Sequence, residues 1–579
     1  MLVESSRSRR TPPARQVIIA STLAAGLLAV VGVLVLTGGE PAEKVVAERF
    51  VRAWARGDFP AMQAELTGQD RREMPVRRFR NAYRAAATTA TATAVAVGKV
   101  AQPRDGVVSV PMTVTTRVFG TVRGTLRLTF SGEGDDRHVN WKPNLVFPGL
   151  KVGERLERRT ELPRRADILA RDGTPLAQGE ERAFPTDDVA SSIVGELGAP
   201  PPERVSRLRE LGYPKGATVG TSGLERVFEE TLAGRPGGQL RAGRRVLAQT
   251  LPRPARPVRS SIDRAVQRAA VEAKGERLGG VAVVRPRTGE ILALAGIAFS
   301  GLQPPGSTFK IVTLTGVLEA DLASVNSTYP VETKTTIEGV ELENANGESC
   351  GGTLLNSFAH SCNSVFAPLG ARLGGERLVR TAEKFGFNMD VGIPGAATST
   401  IPAAGEIGDD LAVGSTAIGQ GRVQSTALQM AWVAATIAGL GRRPQLTLER
   451  GRTPRRTQVI DADVARLVRR MMEAVVREGT GRSAQIPGVR VAGKTGTAEL
   501  KNTSQPACVP SPDPVVVTEC PAAAPDDLTD TDAWFAAFAP ANRPRVAVGV
   551  LLVQSGSGGD TAAPVARQAL LAGLEATRP

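Results

Sequence analysis

At 579 residues, with 41% of them hydrophobic, the chain is long enough for several cores and has the apolar share of a globular protein. Lysine and arginine outnumber the acids 72 to 58, but aromatics make up only 4% and no nucleic-acid motif accompanies the charge, which excludes a base-stacking platform. Two histidines and four cysteines, with no CxxC or HExxH spacing, exclude the common zinc sites. The excess arginine reads as a bias spread over the surface rather than as a dock for anionic membrane or wall polymers.

Residues 1–16 are polar and carry Arg7, Arg9, Arg10 and Arg15; residues 17–37 hold no charge. About 20 apolar residues span a bilayer as a helix. Arginines before the run, and Glu40 and Glu43 after it, place the N-terminus in the cytoplasm. The run is long for a cleaved signal peptide and lacks an obvious small-residue cleavage site. The expectation is a cytoplasmic tail (1–16), one transmembrane helix (17–37) in the plasma membrane, and an extracytoplasmic remainder where disulfides are permitted.

In residues 42–67, Val46, Phe50, Ala53 and Trp54 recur at helical spacing, and Gly57-Asp58 ends the first segment. The period then changes. Thr93 to Val97, Val107 to Val114 and Leu126 to Phe130 read as strands between turn residues. Helices followed by an antiparallel sheet predict a small α+β domain over 42–150 with no catalytic cluster. Residues 151–257 are rich in Arg, Pro and Gly; Asp172-Gly173 marks a turn, Gly223 to Phe228 opens a short helix, and Pro252 to Pro257 reads as a linker.

From residue 258 the pattern tightens. A helix over Ile262 to Ala273, a strand over Gly280 to Val284, a turn, and a returning strand over Glu290 to Leu294 are expected. A mostly helical stretch to about residue 485 follows, then strands in 488–499, 532–540 and 545–554, and a terminal helix over Ala562 to Glu575. Both ends of one domain thus complete a single sheet around a long helical insertion.

Within this domain, Ser307 and Lys310 stand three apart after a Pro-Pro-Gly break and before an apolar run. That spacing puts them on one face of a helical turn. A serine needs a base within hydrogen-bond reach, and a lysine kept neutral can be that base. Such an S-x-x-K match arises by chance about once in a chain this long. Ser361-Cys362-Asn363 is also weak alone. Lys494-Thr495-Gly496-Thr497 is rarer, and the three motifs in this order make a strong signal.

This trio is shared by class A β-lactamases and penicillin-binding proteins. With it, the chain resembles a class B penicillin-binding protein, a peptidoglycan D,D-transpeptidase. Ile418-Gly419-Gln420-Gly421 with Thr426, Gln429 and Met430, Trp534 to Pro540, and Thr288 to Ala293 resemble further family segments. Residues 164–177 resemble the start of its pedestal. Trp141-Lys142-Pro143, Phe147-Pro148 and the helix around Trp54 resemble the N-terminal domain of the methicillin-resistance type. The resemblance implies a multidomain α+β protein. Behind the transmembrane helix would stand a cone-shaped nuclear-transport-factor-like domain (42–150) and a pedestal or dimerisation domain (151–257). A β-lactamase-like serine transpeptidase domain (258–579), an antiparallel sheet flanked by helices, would complete it.

The resemblance also implies roles. Ser307 would attack the penultimate D-Ala of a stem peptide, with Lys310 as base. Ser361 would relay a proton to the leaving amine, and Asn363 would hold substrate or Lys310. Lys494 would face the pocket and help suppress the charge on Lys310. Thr495 and Thr497 would bind the substrate carboxylate, and Gly496 would let the substrate lie close against the strand. The N–H groups of Ser307 and Thr497 would form the oxyanion hole. No metal or cofactor is expected. The implied partners are D-Ala-D-Ala stem peptides, β-lactams that acylate Ser307, the membrane, and a separate membrane glycosyltransferase.

The other readings are a D,D-carboxypeptidase or β-lactamase-type hydrolase, and a penicillin-binding sensor or scaffold. Against them stand the lack of a Glu-containing deacylation motif after Ser361 and the short segment ahead of the apolar run. Four cysteines allow three pairings. Nearest-in-chain pairing, Cys350–Cys362 and Cys508–Cys520, fits their positions best. The second would close a loop in a Pro-, Ala- and Asp-rich insertion over 501–531.

Overall fold

The structure, a computed structural model, describes residues 40–183, 188–499 and 531–578. The expected tail and transmembrane helix, residues 501–530 of the insertion, and the Cys508–Cys520 pairing lie outside the described residues. Among the described residues, no helix is long and apolar enough to cross a membrane.

The helix Ala42–Arg56 buries Val46, Phe50, Val51 and Trp54 and stops at Gly57, whose left-handed backbone (φ 71°) closes the last turn onto Ala53 and Trp54. The helix Val76–Ala90 buries Phe79, Tyr83, Ala86 and Ala90, again one stripe. Both pack on a four-stranded sheet of Ala92–Val97, Val107–Thr116, Thr121–Ser131 and His138–Val139, in that spatial order. Val108, Val110, Met112 and Val114 alternate inward along the second strand. This is the expected small α+β domain, helices first and an antiparallel sheet after them.

The middle region keeps a small core of its own around Leu208, Leu211, Tyr213 and Val219 and shares other apolar residues with both neighbours. A sheet of Leu156–Glu161, Gly237–Ala242 and Arg245–Thr250 lays Leu240 and Ala242 against Ala90, Val114 and Phe147 of the N-terminal domain. Ile168, Leu176, Ala190, Leu224 and Leu232 instead join the core of the C-terminal domain. Beside the second group Arg165 donates to the buried carboxylates of Glu225 (2.7 Å) and Glu229 (2.8 Å).

The C-terminal domain is built on a five-stranded antiparallel sheet. Its spatial order is Ile291–Gly296, Gly279–Val284, Val546–Leu552, Thr531–Ala539 and Ala492–Glu499. Both faces are covered, so its strands are apolar throughout rather than alternating. The helices Arg264–Lys274 and Ala563–Ala576 pack on one face. The helix Ala427–Ala438, buried on every side, packs on the other. The insertion departs from the expected helical run. Thr328–Glu332 pairs with Cys350–Thr353, and Lys334–Ile337 pairs with Val340–Glu343. These strands are short and largely exposed, so their sequence carries little apolar period.

Candidate active site

Ser307 lies in a 3₁₀ turn, Gly306–Phe309, which runs straight into the helix Lys310–Glu319. Side chains three apart eclipse in that geometry, so the expected shared face of Ser307 and Lys310 holds in a tighter helix than an α-turn. Phe309, Ile311 and Val312 anchor the turn in the core. Two close backbone approaches fix it. Gly306 N–H donates to Gly419 O at 3.0 Å, where Gly419 has φ +85° and a side chain on it would strike Gly306 O. On the other side, a Cβ on Gly496 would stand 2.9 Å from Pro305 O and 3.0 Å from Thr308 N. The glycine of the Lys494 strand therefore makes room for the Ser307 turn. This packing of protein on protein is a second reason for glycine at this position, beside the expected close approach of a substrate.

Lys310 and Lys494 are both fully buried. Lys310 Nζ donates to Ser361 O (2.6 Å) and Asn363 Oδ1 (2.6 Å), with Ser361 Oγ at 3.3 Å. Lys494 Nζ donates to Ser361 Oγ (2.8 Å) and Thr495 O (3.1 Å). Ser361 thus stands between the two amines. Phe366 and Phe358 lie 5.8 and 5.6 Å from Lys310 and Lys494 respectively. Among the described residues no carboxylate bonds either lysine. Burial therefore pushes Lys310 well below the usual lysine range, with the charge on Lys494 lowering it further. Burial alone brings Lys494 down to about 7.

Ser361 has a left-handed backbone (φ 63°), an uncommon conformation for a residue with a side chain. Cys362 follows as the N-cap of the helix Asn363–Leu373, and its sulfur is bonded to Cys350. The middle residue of the motif is thereby turned into a buried disulfide, while Asn363 faces Lys310. The Asn363 amide also donates to Glu343 O at 2.8 Å, which ties the site to the Lys334–Glu343 hairpin. His360 is the C-cap of the helix Leu354–Ala359.

Along the strand Ala492–Glu499 the pleat sends Lys494 and Gly496 to one face and Thr495 and Thr497 to the other. Thr495 Oγ1 lies 2.6 Å from Thr480 Oγ1, and Thr497 Oγ1 accepts from Gly558 N–H at 3.4 Å. A Cβ on Gly306 would stand 2.6 Å from Thr497 O, so Thr497 and the Ser307 turn are neighbours. Ser307 N–H, near the start of its turn, is among those that a helix start leaves without an intrahelical acceptor. Sequence reasoning missed Thr480, Gly558, Phe358, Phe366 and the Glu343 carbonyl. Only Gly479-Thr480-Gly481, just after a strongly periodic helix, offered a signal.

Known proteins match along most of the chain. The penicillin-binding protein transpeptidase domain family matches residues 279–571, the NTF2-like N-terminal transpeptidase domain family 41–154, and the penicillin-binding protein dimerisation domain family 172–244. The peptidoglycan D,D-transpeptidase PbpA of Mycolicibacterium smegmatis is 31% identical over 300 residues, which are 48% of this chain and 56% of that relative. The chain thus spans little more than half the length of that curated relative. A D,D-transpeptidase domain structure from Eggerthella lenta covers 72% of this chain and 99% of its own, with 27% identity and a TM-score of 0.56. The penicillin G acyl-enzyme complex of penicillin-binding protein A from M. tuberculosis covers 71% of this chain and 99% of its own, with 26% identity and a TM-score of 0.54. Since the first of these families spans residues 279–571 and the other two lie in order ahead of it, the chain belongs to the class B penicillin-binding proteins, with an NTF2-like N-terminal domain.

Proposed function

We propose that the protein is a peptidoglycan D,D-transpeptidase that works through a Ser307 acyl-enzyme and is acylated at the same serine by β-lactams. The observation that carries this reading is the convergence of three motifs distant in sequence on Ser361, which bonds the amines of Lys310 and Lys494. A neutral amine has two hydrogens and one lone pair. The two 2.6 Å acceptors, Ser361 O and Asn363 Oδ1, use both hydrogens of Lys310 and leave the lone pair for the Ser307 proton.

Ser307 Oγ then attacks the carbonyl of the penultimate D-Ala, and Lys310 takes its proton. The N–H groups of Ser307 and Thr497 hold the oxyanion; one such donor is typically worth about 3 kcal/mol of barrier. Lys310 passes that proton to Ser361 Oγ as the Ser361 hydroxyl gives its own to the leaving D-Ala nitrogen and the C–N bond breaks, so both residues return to their starting states. Thr495 and Thr497 hold the terminal carboxylate. An amine of a second stem peptide attacks the ester, forms the cross-link and returns the proton to Ser307. Residues 17–37 would anchor the enzyme in the plasma membrane with its N-terminus inside, beside a separate membrane glycosyltransferase that supplies the glycan strands.

Labelling with a fluorescent penicillin tests the reading. The wild type takes up label at Ser307, and Ser307→Ala takes up none. Equal labelling of the two would remove Ser307 from its role.

A further inference from the structure

The chain passes from the helix Ala462–Arg477 to the Lys494 strand through Gly479-Thr480-Gly481. This crossing is tight. Gly479 and Gly481 N–H groups donate to Ala474 O (3.1 Å) and Val475 O (2.9 Å) of the preceding helix. A side chain on Gly479 would strike the Ala359 carbonyl, and one on Gly481 would stand 3.1 Å from Val475 and 3.2 Å from Phe535. Thr480 is therefore held with little backbone freedom. Its N–H donates to Ala359 O at 3.1 Å, two residues ahead of Ser361, and its hydroxyl lies 2.6 Å from that of Thr495. One residue links the wall that carries Ser361 to the strand that carries Lys494.

The direction of the hydroxyl pair follows from the acceptors. Among the described residues the other acceptor in reach of Thr480 Oγ1 is Ala359 O, at the 3.5 Å limit against 2.6 Å for Thr495 Oγ1, and it already accepts from the Thr480 N–H. The Thr480 proton therefore goes to Thr495 Oγ1. Thr495 then accepts, and its own proton has no acceptor among the described residues. Thr495 is almost fully buried, and leaving a buried donor without an acceptor is costly. An anion lying along the strand would satisfy it, and hydrogen bonds in such a chain reinforce one another.

We infer that Thr480 is a positioning residue for carboxylate recognition: by donating to Thr495 it frees and aims the Thr495 proton at the carboxylate of the bound ligand. This rests on the acyl-transfer reading above. The test compares acylation by benzylpenicillin, which has the carboxylate, with acylation by its methyl ester, which does not carry the charge. Wild type, Thr480→Val and Thr480→Ser are followed, with thermal unfolding as a check on folding and Thr480→Ala in place of valine if that variant does not fold. Thr480→Val should lose about tenfold in second-order acylation by benzylpenicillin and little with the ester, so that selectivity collapses. Thr480→Ser should restore it, and adding Thr495→Val to Thr480→Val should cost little more. Equal losses with both ligands, or unchanged selectivity, would overturn the inference and leave the acyl-transfer reading standing. A wild type that accepts no acyl group from either ligand would overturn both.

Discussion

Two buried lysines on one serine make the site a proton-sharing unit whose charge state sets its activity. In the proposed reaction Lys310 must be neutral to accept the Ser307 proton, and its folded value lies well below that of a free lysine because of burial and of the charge on Lys494. Acylation should therefore rise with pH as Lys310 loses its proton. Lys494, lowered by burial to about 7, loses its own charge near that pH, and with it the field that favours an anionic ligand. A falling limb near pH 7 in the profile of benzylpenicillin acylation is the expected result. Lys494→Arg, slower throughout, should lack that limb because a guanidinium stays charged. A falling limb that stays near 7 in the arginine variant would separate it from Lys494. Gly496 shows a different kind of constraint at the same scale. Gly496→Ala would press a methyl group on Pro305 O and Thr308 N. Overpacking of this kind costs about 1–3 kcal/mol. It should displace the Ser307 turn, so both the melting temperature and the acylation rate should fall.

The elements around the site differ in how far their sequence announced them. Apolar period and turn residues marked the sheet strands Gly279–Val284 and Ile291–Gly296, and the helices Arg264–Lys274 and Ala563–Ala576, closely. The Lys334–Glu343 hairpin and the Arg245–Thr250 strand were not legible, because the hairpin is largely polar and Val246-Leu247-Ala248 run together without alternation. The main site residues were legible because each lies in a short motif. Thr480 and the Glu343 carbonyl were not, since a partner brought in by the fold leaves no local mark. The disulfide lies between these cases. Spacing favoured the Cys350–Cys362 pairing, but only the structure shows that the bridge holds the segment carrying Ser361. It links the strand Cys350–Thr353 to the helix start at Cys362, with 12 residues of sequence separation and 5.7 Å between Cα atoms. A disulfide of this loop length typically stabilises by about 2–4 kcal/mol. A Cys350→Ala, Cys362→Ala double variant should lose that much in urea unfolding. It should also acylate more slowly, because the left-handed backbone of Ser361 loses its anchor. An unchanged acylation rate would confine the bridge to stability.

At the scale of the whole molecule, the middle region works as a joint. One part shares its core with the N-terminal domain and the other with the sheet that carries the site. Glu290 fastens the second part. It opens the strand Ile291–Gly296 and accepts from Arg171 of the middle region at 3.0 Å and from Arg285 at 3.1 Å. Beside it, Arg171 N–H donates to Ile262 O at 2.8 Å, and Ile168–Leu169 pairs in parallel with Val258–Arg259. Burial raises the Glu290 carboxyl, but its bonds to the two guanidinium groups outweigh that and hold it below the usual range. A carboxylate with a lowered folded value contributes stability above its unfolded value and loses it as the pH falls through the folded one. Glu290→Gln keeps the shape and removes the charge. Its cost at neutral pH should be about 1–2 kcal/mol, at the low end for a charged hydrogen-bonded group because solvent screens part of this site. Melting temperatures of wild type and variant should differ most near pH 7 and converge below the lowered value, where Glu290 is protonated in the native state too. A gap that stayed constant to pH 2 would assign the loss to packing rather than to charge, and would take from Arg171 its part in fastening the middle region to the catalytic sheet.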